Sequence, residues 1–155
     1  MRRSKDLSAA GARNAALRTL GRREHSAAEL SAKLAWRGYD EETVRDTVSS
    51  LAGKGWQSDE RYAEQLVRSR IAQGYGPLRI EAELAAAGVD KKQVAAAMDS
   101  ADCDWRASVR ALHQRRFKSA PQGAAEWQKQ YRFLAGRGYT SSQIHAVLRE
   151  APESD

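Results

Sequence analysis

Apolar residues recur along this chain with the period of an α-helix, and the pattern then repeats as a block. Leu30 and Leu34 share one helical face at i and i+4, and Val44 and Val48 share another. Between the two pairs stands Gly38, where a helix needs a left-handed terminal residue, and Asp40 follows as N-cap of the next helix. The figure returns at an interval of 50 residues. Leu34, Leu84 and Leu134 fall in line, as do Gly38, Gly88 and Gly138. So do Tyr39, Val89 and Tyr139, then Val44, Val94 and Ile144, then Val48, Met98 and Leu148. A fixed period of this size marks an internal repeat of small helical units, each packing chiefly on its neighbours.

Start and stop signals divide every unit into three helices. Ser26 with Glu29, Asp90 with Gln93 and Thr140 with Gln143 read as capping boxes. Ser58 precedes two acids, Pro77 opens a helix after Gly76, and Asp104 caps the helix after it. The predicted fold is all-α: three tandem three-helix units with a 50-residue repeat, laid out as an elongated, curved array. The expected boundaries are a disordered basic N-terminus over 1–11, units over 12–55, 56–103 and 104–150, and a tail over 151–155. The first helix is expected from Ala12, burying Ala16, Leu17 and Leu20. Helix 4 buries Tyr62, Ala63, Leu66, Val67 and Ile71, with the Tyr62 hydroxyl reaching the rim, and Trp105 and Trp127 point inward.

Composition narrows the classes. No apolar run approaches the roughly 18 residues a membrane span requires, and the N-terminus lacks a signal peptide's apolar core. The single Cys103 excludes an internal disulfide and fits a reducing compartment, so a cytoplasmic monomer is expected. The net charge of +6 is unevenly spread. Residues 1–23 carry seven basic side chains and one acidic, residues 24–104 ten and fifteen, and residues 105–149 nine and one. Two basic ends flank an acidic middle. Over residues 105–137 only Glu126 opposes Arg106, Arg110, Arg115, Arg116, Lys118, Lys129, Arg132 and Arg137. With Arg22 and Arg23, these are candidate contacts to DNA phosphates or to an acidic partner surface.

Catalytic chemistry finds no constellation. Glu24 and His25 adjoin the capping Ser26, but neighbours at a helix entry point apart, so a capping or surface role is expected for them. His25, His113, His145 and Cys103 lack metal-ligand spacing, and Gly74-Tyr75-Gly76-Pro77 lacks the Lys and the preceding strand of a phosphate loop. No metal or cofactor is expected. Arg61 divides between surface pairing with Asp59, Glu60 or Glu64 and contact with a partner; Arg79 divides between bracing Glu83 and the same. A helix–turn–helix that reads base sequence is disfavoured, because Asp40, Glu41 and Glu42 would meet the phosphates. Only Thr140, Ser141, Ser142 and Gln143 suit base edges.

Several stretches resemble the RecX regulatory family. They are Leu20 to Leu30, Trp56-Gln57-Ser58-Asp59-Glu60-Arg61-Tyr62-Ala63, Gly76-Pro77-Leu78-Arg79-Ile80-Glu81-Ala82-Glu83-Leu84, and Leu134 to Tyr139, a likeness spanning roughly residues 13–149. The chain departs from the family pattern at Trp56 and Gly136, and the third unit is the least similar. The resemblance implies an all-helical, non-enzymatic modulator of homologous recombination and the SOS response. Such a protein binds the RecA–DNA filament and inhibits RecA. Arg61 and Arg79, in the most specific segments, join the candidate contacts on that ground. The alternative is a general nucleic-acid-binding protein, for single-stranded or double-stranded DNA, with no dedicated protein partner.

Overall fold

The computed structural model describes residues 6–150. Among these the chain forms α1 (Ala9–Arg22), α2 (Ala27–Trp36), α3 (Glu41–Gly53), α4 (Asp59–Ala72), α5 (Pro77–Ala86), α6 (Lys91–Ala101), α7 (Trp105–Arg116), α8 (Ala124–Gly136) and α9 (Ser141–Glu150), and no strand. The helices group in threes, as the repeat requires.

Each trio closes over its own core. In unit 1, Ala12, Ala15 and Ala16 of α1 let that helix lie close against Leu30, Leu34, Tyr39, Val44, Val48 and Leu51. Unit 2 gathers Ala63, Val67, Ile80, Leu84, Val89 and Ala97, and unit 3 gathers Val109, Leu112, Leu134, Tyr139, Ile144, Val147 and Leu148. The three repeat leucines are each at most 1% exposed. Three separate cores in a row, with no common centre, make the molecule a tandem array. Trp105 packs against the cores of both unit 2 and unit 3.

The caps follow the sequence closely. Both arms of the Ser26–Glu29 box are made, and both arms of Thr140–Gln143, at 2.9 and 3.2 Å. For the Asp90–Gln93 pair only the Asp90 arm forms, accepting the Gln93 N–H at 2.9 Å. Gly38, Gly88 and Gly138 take positive φ of 103°, 81° and 99°, the left-handed turn their spacing calls for. One start differs. The first helix begins at Ala9, not Ala12, because the Ser8 hydroxyl accepts the Gly11 N–H at 3.1 Å. Residues 9–11, expected to be disordered, are therefore helical, while 1–5 and the tail 151–155 lie outside the described residues.

Neighbouring units join by a contact that itself repeats. The start of α2 docks on the α5–α6 turn: Ser26 Oγ donates to the Ala87 carbonyl at 2.6 Å. Around it, the Ala27 N–H donates to Asp59 Oδ1 at 2.8 Å and Gln57 Nε2 donates to the His25 carbonyl at 3.2 Å. The start of α5 docks in the same way on the α8–α9 turn. There the Gly76 and Leu78 N–H groups donate to the Arg137 and Gly138 carbonyls at 2.8 and 2.9 Å, and the Tyr139 hydroxyl donates to the Gly74 carbonyl at 2.9 Å. Ser26 and Gly76 are 50 residues apart, and so are Ala87 and Arg137. The unit and its junction share one period.

Candidate cationic interface

At the junction of units 2 and 3, guanidinium groups and aromatic rings alternate in a row. The Arg79 guanidinium carbon lies 4.0 Å from the centre of the Tyr75 ring, and Arg137 lies 5.4 Å from the same ring. Arg137 is also 5.1 Å from the Phe133 ring, which Arg116 approaches at 5.4 Å. Arg116 ends the row 5.6 Å from Phe117, whose ring meets Phe133 edge-on at 5.5 Å. Three cations from α5, α7 and the α8 C-cap thus sit on three half-buried rings.

The local sequence explains the arrangement. Gly76 admits the α8–α9 turn so closely that a methyl group on it would fall 2.5 Å from the Gly138 carbonyl. That approach carries Arg137, the residue before Gly138, onto Tyr75. Each guanidinium carbon lies within about 6 Å of a ring centre, the range of cation–π attraction, which contributes about 0.5–1 kcal/mol for exposed pairs. Among the described residues neither Arg116 nor Arg137 has a carboxylate partner, whereas Arg79 lies 3.8 Å from Glu83. Glu83 is held more tightly by Arg70, at 2.7 Å.

The other expected contacts divide. Arg106, Arg110, Arg115, Lys118, Lys129 and Arg132 are exposed on unit 3, with Arg115 next to Gly74 at the junction. Arg22 is exposed at the end of α1. Arg23 and Arg61 are engaged within the chain: Arg23 pairs with Glu29 at 3.0 Å, and Arg61 pairs with Glu24 at 2.9 Å while donating to the Trp56 carbonyl. The expected partners of Arg61 were Asp59, Glu60 or Glu64. Glu24 takes it because the start of α4 abuts unit 1, a proximity that sequence spacing cannot show. Thr140 and Gln143, half of the quartet able to read bases, are occupied in their capping box.

His25 corrects the surface reading. It is 1% exposed, its Nδ1 bonded to the Arg23 carbonyl and its Nε2 to Lys33 Nζ, both at 2.9 Å. An ammonium only donates, so Nε2 accepts and Nδ1 carries the proton of a neutral ring. Burial holds this imidazole below its ordinary pKa against the opposing bond to Arg23, with the charges of Arg23 and Lys33 adding to the effect.

A second concavity, a groove of about 890 Å³, runs between units 1 and 2, with Arg23, Glu29, Tyr62, Leu66, Arg70 and Glu83 among its lining. Burial and then the hydrogen bond with Glu29 push the Tyr62 hydroxyl up to about 12. Burial pushes the Glu29 carboxyl up, but bonds from Arg23, Tyr62 and Ser26 outweigh it and hold the group below the ordinary glutamate range. All of its charged walls are paired within the protein, which makes it the weaker candidate. Two features escaped sequence reading: the Arg–aromatic row, whose members come from three helices, and the buried pair His113 Nε2 to Gln130 Oε1 at 2.7 Å.

Comparison with known proteins fits this architecture. The first, second and third three-helix domains of RecX match residues 12–51, 58–98 and 104–148. The chain is 44% identical over 139 residues to the regulatory protein RecX of Stenotrophomonas maltophilia (strain R551-3), covering 89% of this chain and 85% of that one. It is 42% identical over 144 residues to RecX of Halorhodospira halophila, covering 92% and 89%. The crystal structure of RecX from Lactobacillus salivarius superposes with a TM-score of 0.74 at 21% identity, covering 92% of this chain and 95% of that one. A second RecX crystal structure gives 0.78 at 23% identity, covering 92% and 72%. At these identities the two structures speak for the fold.

Proposed function

The chain belongs to the RecX family of regulatory proteins, and from that premise we propose that it is a non-enzymatic regulator that binds the RecA–DNA filament and inhibits RecA. Its setting is homologous recombination and the SOS response in the cytoplasm. A filament repeats its surface along its length, and a row of similar units presents several contacts at a fixed spacing from a small chain. The observation that carries the reading is the row of Arg79, Arg137 and Arg116 on Tyr75, Phe133 and Phe117, to which unit 3 adds further exposed cations. Guanidinium edges preorganised on rings suit phosphate oxygens or the carboxylates of a protein surface. No nucleophile, metal set or acid–base pair enters the proposal; the regulator acts by occupying the filament.

The test is inhibition of RecA's DNA-dependent ATPase by wild type and by a variant carrying Arg79→Gln, Arg116→Gln and Arg137→Gln. The variant should need a higher concentration for the same inhibition. The salt dependence of its binding should flatten by about one unit of log–log slope for each phosphate it no longer neutralises. Equal inhibition by both proteins would refute the role of the row. The exposed Arg106, Lys118, Lys129 and Arg132 also favour a second reading, a nucleic-acid binder without a protein partner. Binding to RecA in the absence of DNA separates the two, since that binder gives no signal there.

A further inference from the structure

The last turn of α7 and the chain leading to α8 are tied by a relay of side-chain hydrogen bonds. His113 and Gln130 are each 5% exposed, and His113 Nε2 lies 2.7 Å from Gln130 Oε1. An amide oxygen only accepts, so the imidazole donates from Nε2. Gln130 passes the relay on, donating from its own Nε2 to the Ser119 carbonyl at 3.3 Å. Between the two tied points stands Phe117. Its N–H donates to the His113 carbonyl at 2.7 Å, its ring lies 5.5 Å from the His113 ring, and the same ring meets Phe133 edge-on at 5.5 Å. The connection is peculiar to unit 3. Seven residues, 117–123, separate α7 from α8, where four, 23–26 and 73–76, separate the matching helices of units 1 and 2. A longer connection has more conformations to choose from, and the relay selects one.

Arg116 and Arg137 both flank Phe133, at 5.4 and 5.1 Å. Two like charges beside one ring repel, and a long side chain at an exposed helix end gains entropy by turning away into water. The backbone that carries Arg116 must therefore be held. Stability alone does not call for a buried polar pair to hold it, because apolar groups of similar shape would fill the same space at little loss. We propose that His113 and Gln130 are positioning residues for the cationic row. Through Ser119 and Phe117 they fix where Arg116 stands, so that it and Arg137 meet one anionic group, a phosphate or a carboxylate, together. The inference rests on the reading of the row given above. Neither residue touches the partner; both act through Phe117 and Arg116.

The test pairs side-chain NMR with RecA inhibition, both on the full chain. His113→Leu combined with Gln130→Met removes both polar partners at once and leaves neither buried alone, so its melting midpoint should stay near that of wild type. In this double variant the Arg116 side-chain protons should lose the ring-current shift that Phe117 and Phe133 impose, while those of Arg137 keep theirs. His113→Gln, whose amide can donate from about the place of Nε2, should retain the wild-type Arg116 shift. Gln130→Asn, one methylene shorter, keeps a buried amide that cannot span from His113 to Ser119, and gives the same reading if the double variant melts low. The concentration of double variant that half-inhibits RecA's DNA-dependent ATPase should rise about two- to fivefold, as for Arg116→Gln alone. Combining the double variant with Arg116→Gln should add nothing further. Arg116 signals that stay in place in both the double variant and Gln130→Asn overturn the proposal, as do losses that add in full in the Arg116→Gln background. Signals that move while inhibition holds uphold the positioning role and refute instead the part of Arg116 in inhibiting RecA.

Discussion

Ser26 and Ala87, 61 residues apart, are joined by a hydrogen bond of 2.6 Å while the same Ser26 oxygen accepts the Glu29 N–H at 3.1 Å. One hydroxyl therefore starts α2 and fastens unit 1 to unit 2. Its proton goes to Ala87 and a lone pair serves the helix, so the two duties do not compete. Ser26→Ala should cost about 1 kcal/mol for the cap and about as much again for the carbonyl left unpaired. A urea melt reads this loss, and Ser26→Gly, which spares most of the cap, isolates the share due to the junction. Equal stability of all three proteins would count against the double role.

Gly138 and Gly38 have nearly the same φ, 99° and 103°, but different surroundings. A methyl on Gly138 would meet Arg79 Cβ at 2.5 Å and the Arg79 nitrogen at 2.8 Å; on Gly38 it would meet only the end of Leu7, at 3.8 Å. Gly38→Ala should cost about 1–2 kcal/mol, the left-handed penalty alone. Gly138→Ala should add about 1–3 kcal/mol of overpacking and loosen unit 3 from unit 2. Thermal melts rank the two, and equal losses would mean the junction yields freely.

Leu34, Leu84 and Leu134 are equivalent in burial as well as in sequence, at 1%, 0% and 0% exposed. Each Leu→Ala change should cost about 2–5 kcal/mol. Because each core is separate, the damage should stay in its own unit. Hydrogen exchange should show protection lost first around the substituted leucine. Uniform loss along the chain would mean the three units unfold together.

His25 gives stability a pH dependence. The folded state holds this histidine below its ordinary value of 6.5, so near and below that pH the unfolded chain binds the extra proton. Its contribution is complete above about pH 6.5 and is lost as pH falls toward the folded pKa. Arg23 and Lys33 face the ring as positive charges and Glu29 as a negative one, so protonation leaves Lys33 without its acceptor. Glu29, held low, loses its contribution only at more acidic pH. Urea midpoints should fall more steeply between about pH 7 and pH 5 for wild type than for His25→Gln. Parallel curves would remove His25 from the account.

How much was legible follows from the range of each interaction. The capping boxes at Ser26 and Thr140 lie within four consecutive residues, and the leucine stripe within one helical turn, so local spacing revealed both. The Arg61–Glu24 pair joins residues 37 positions apart, and local spacing pointed to the wrong acids. His25 was misread for a similar reason: its burial depends on Gln57 and the start of α4 closing over the α1–α2 loop. The arginines of the candidate interface were visible as an excess of charge, but not which of them share rings.

The sequence by itself determined the three-unit helical plan, because a period of 50 and the 3.6-residue spacing within it are properties of the chain before it folds. Apart from the start of α1, it also determined where helices begin and turn, since those choices rest on backbone groups and side chains a few residues apart. Only the tertiary structure decided which cations are spent in internal pairs and which stand on aromatic rings, and that Leu7 covers Gly38. Those outcomes depend on close approach between units, set by how nearly Gly76 and Gly138 let two backbones meet, and no one-dimensional pattern encodes that distance.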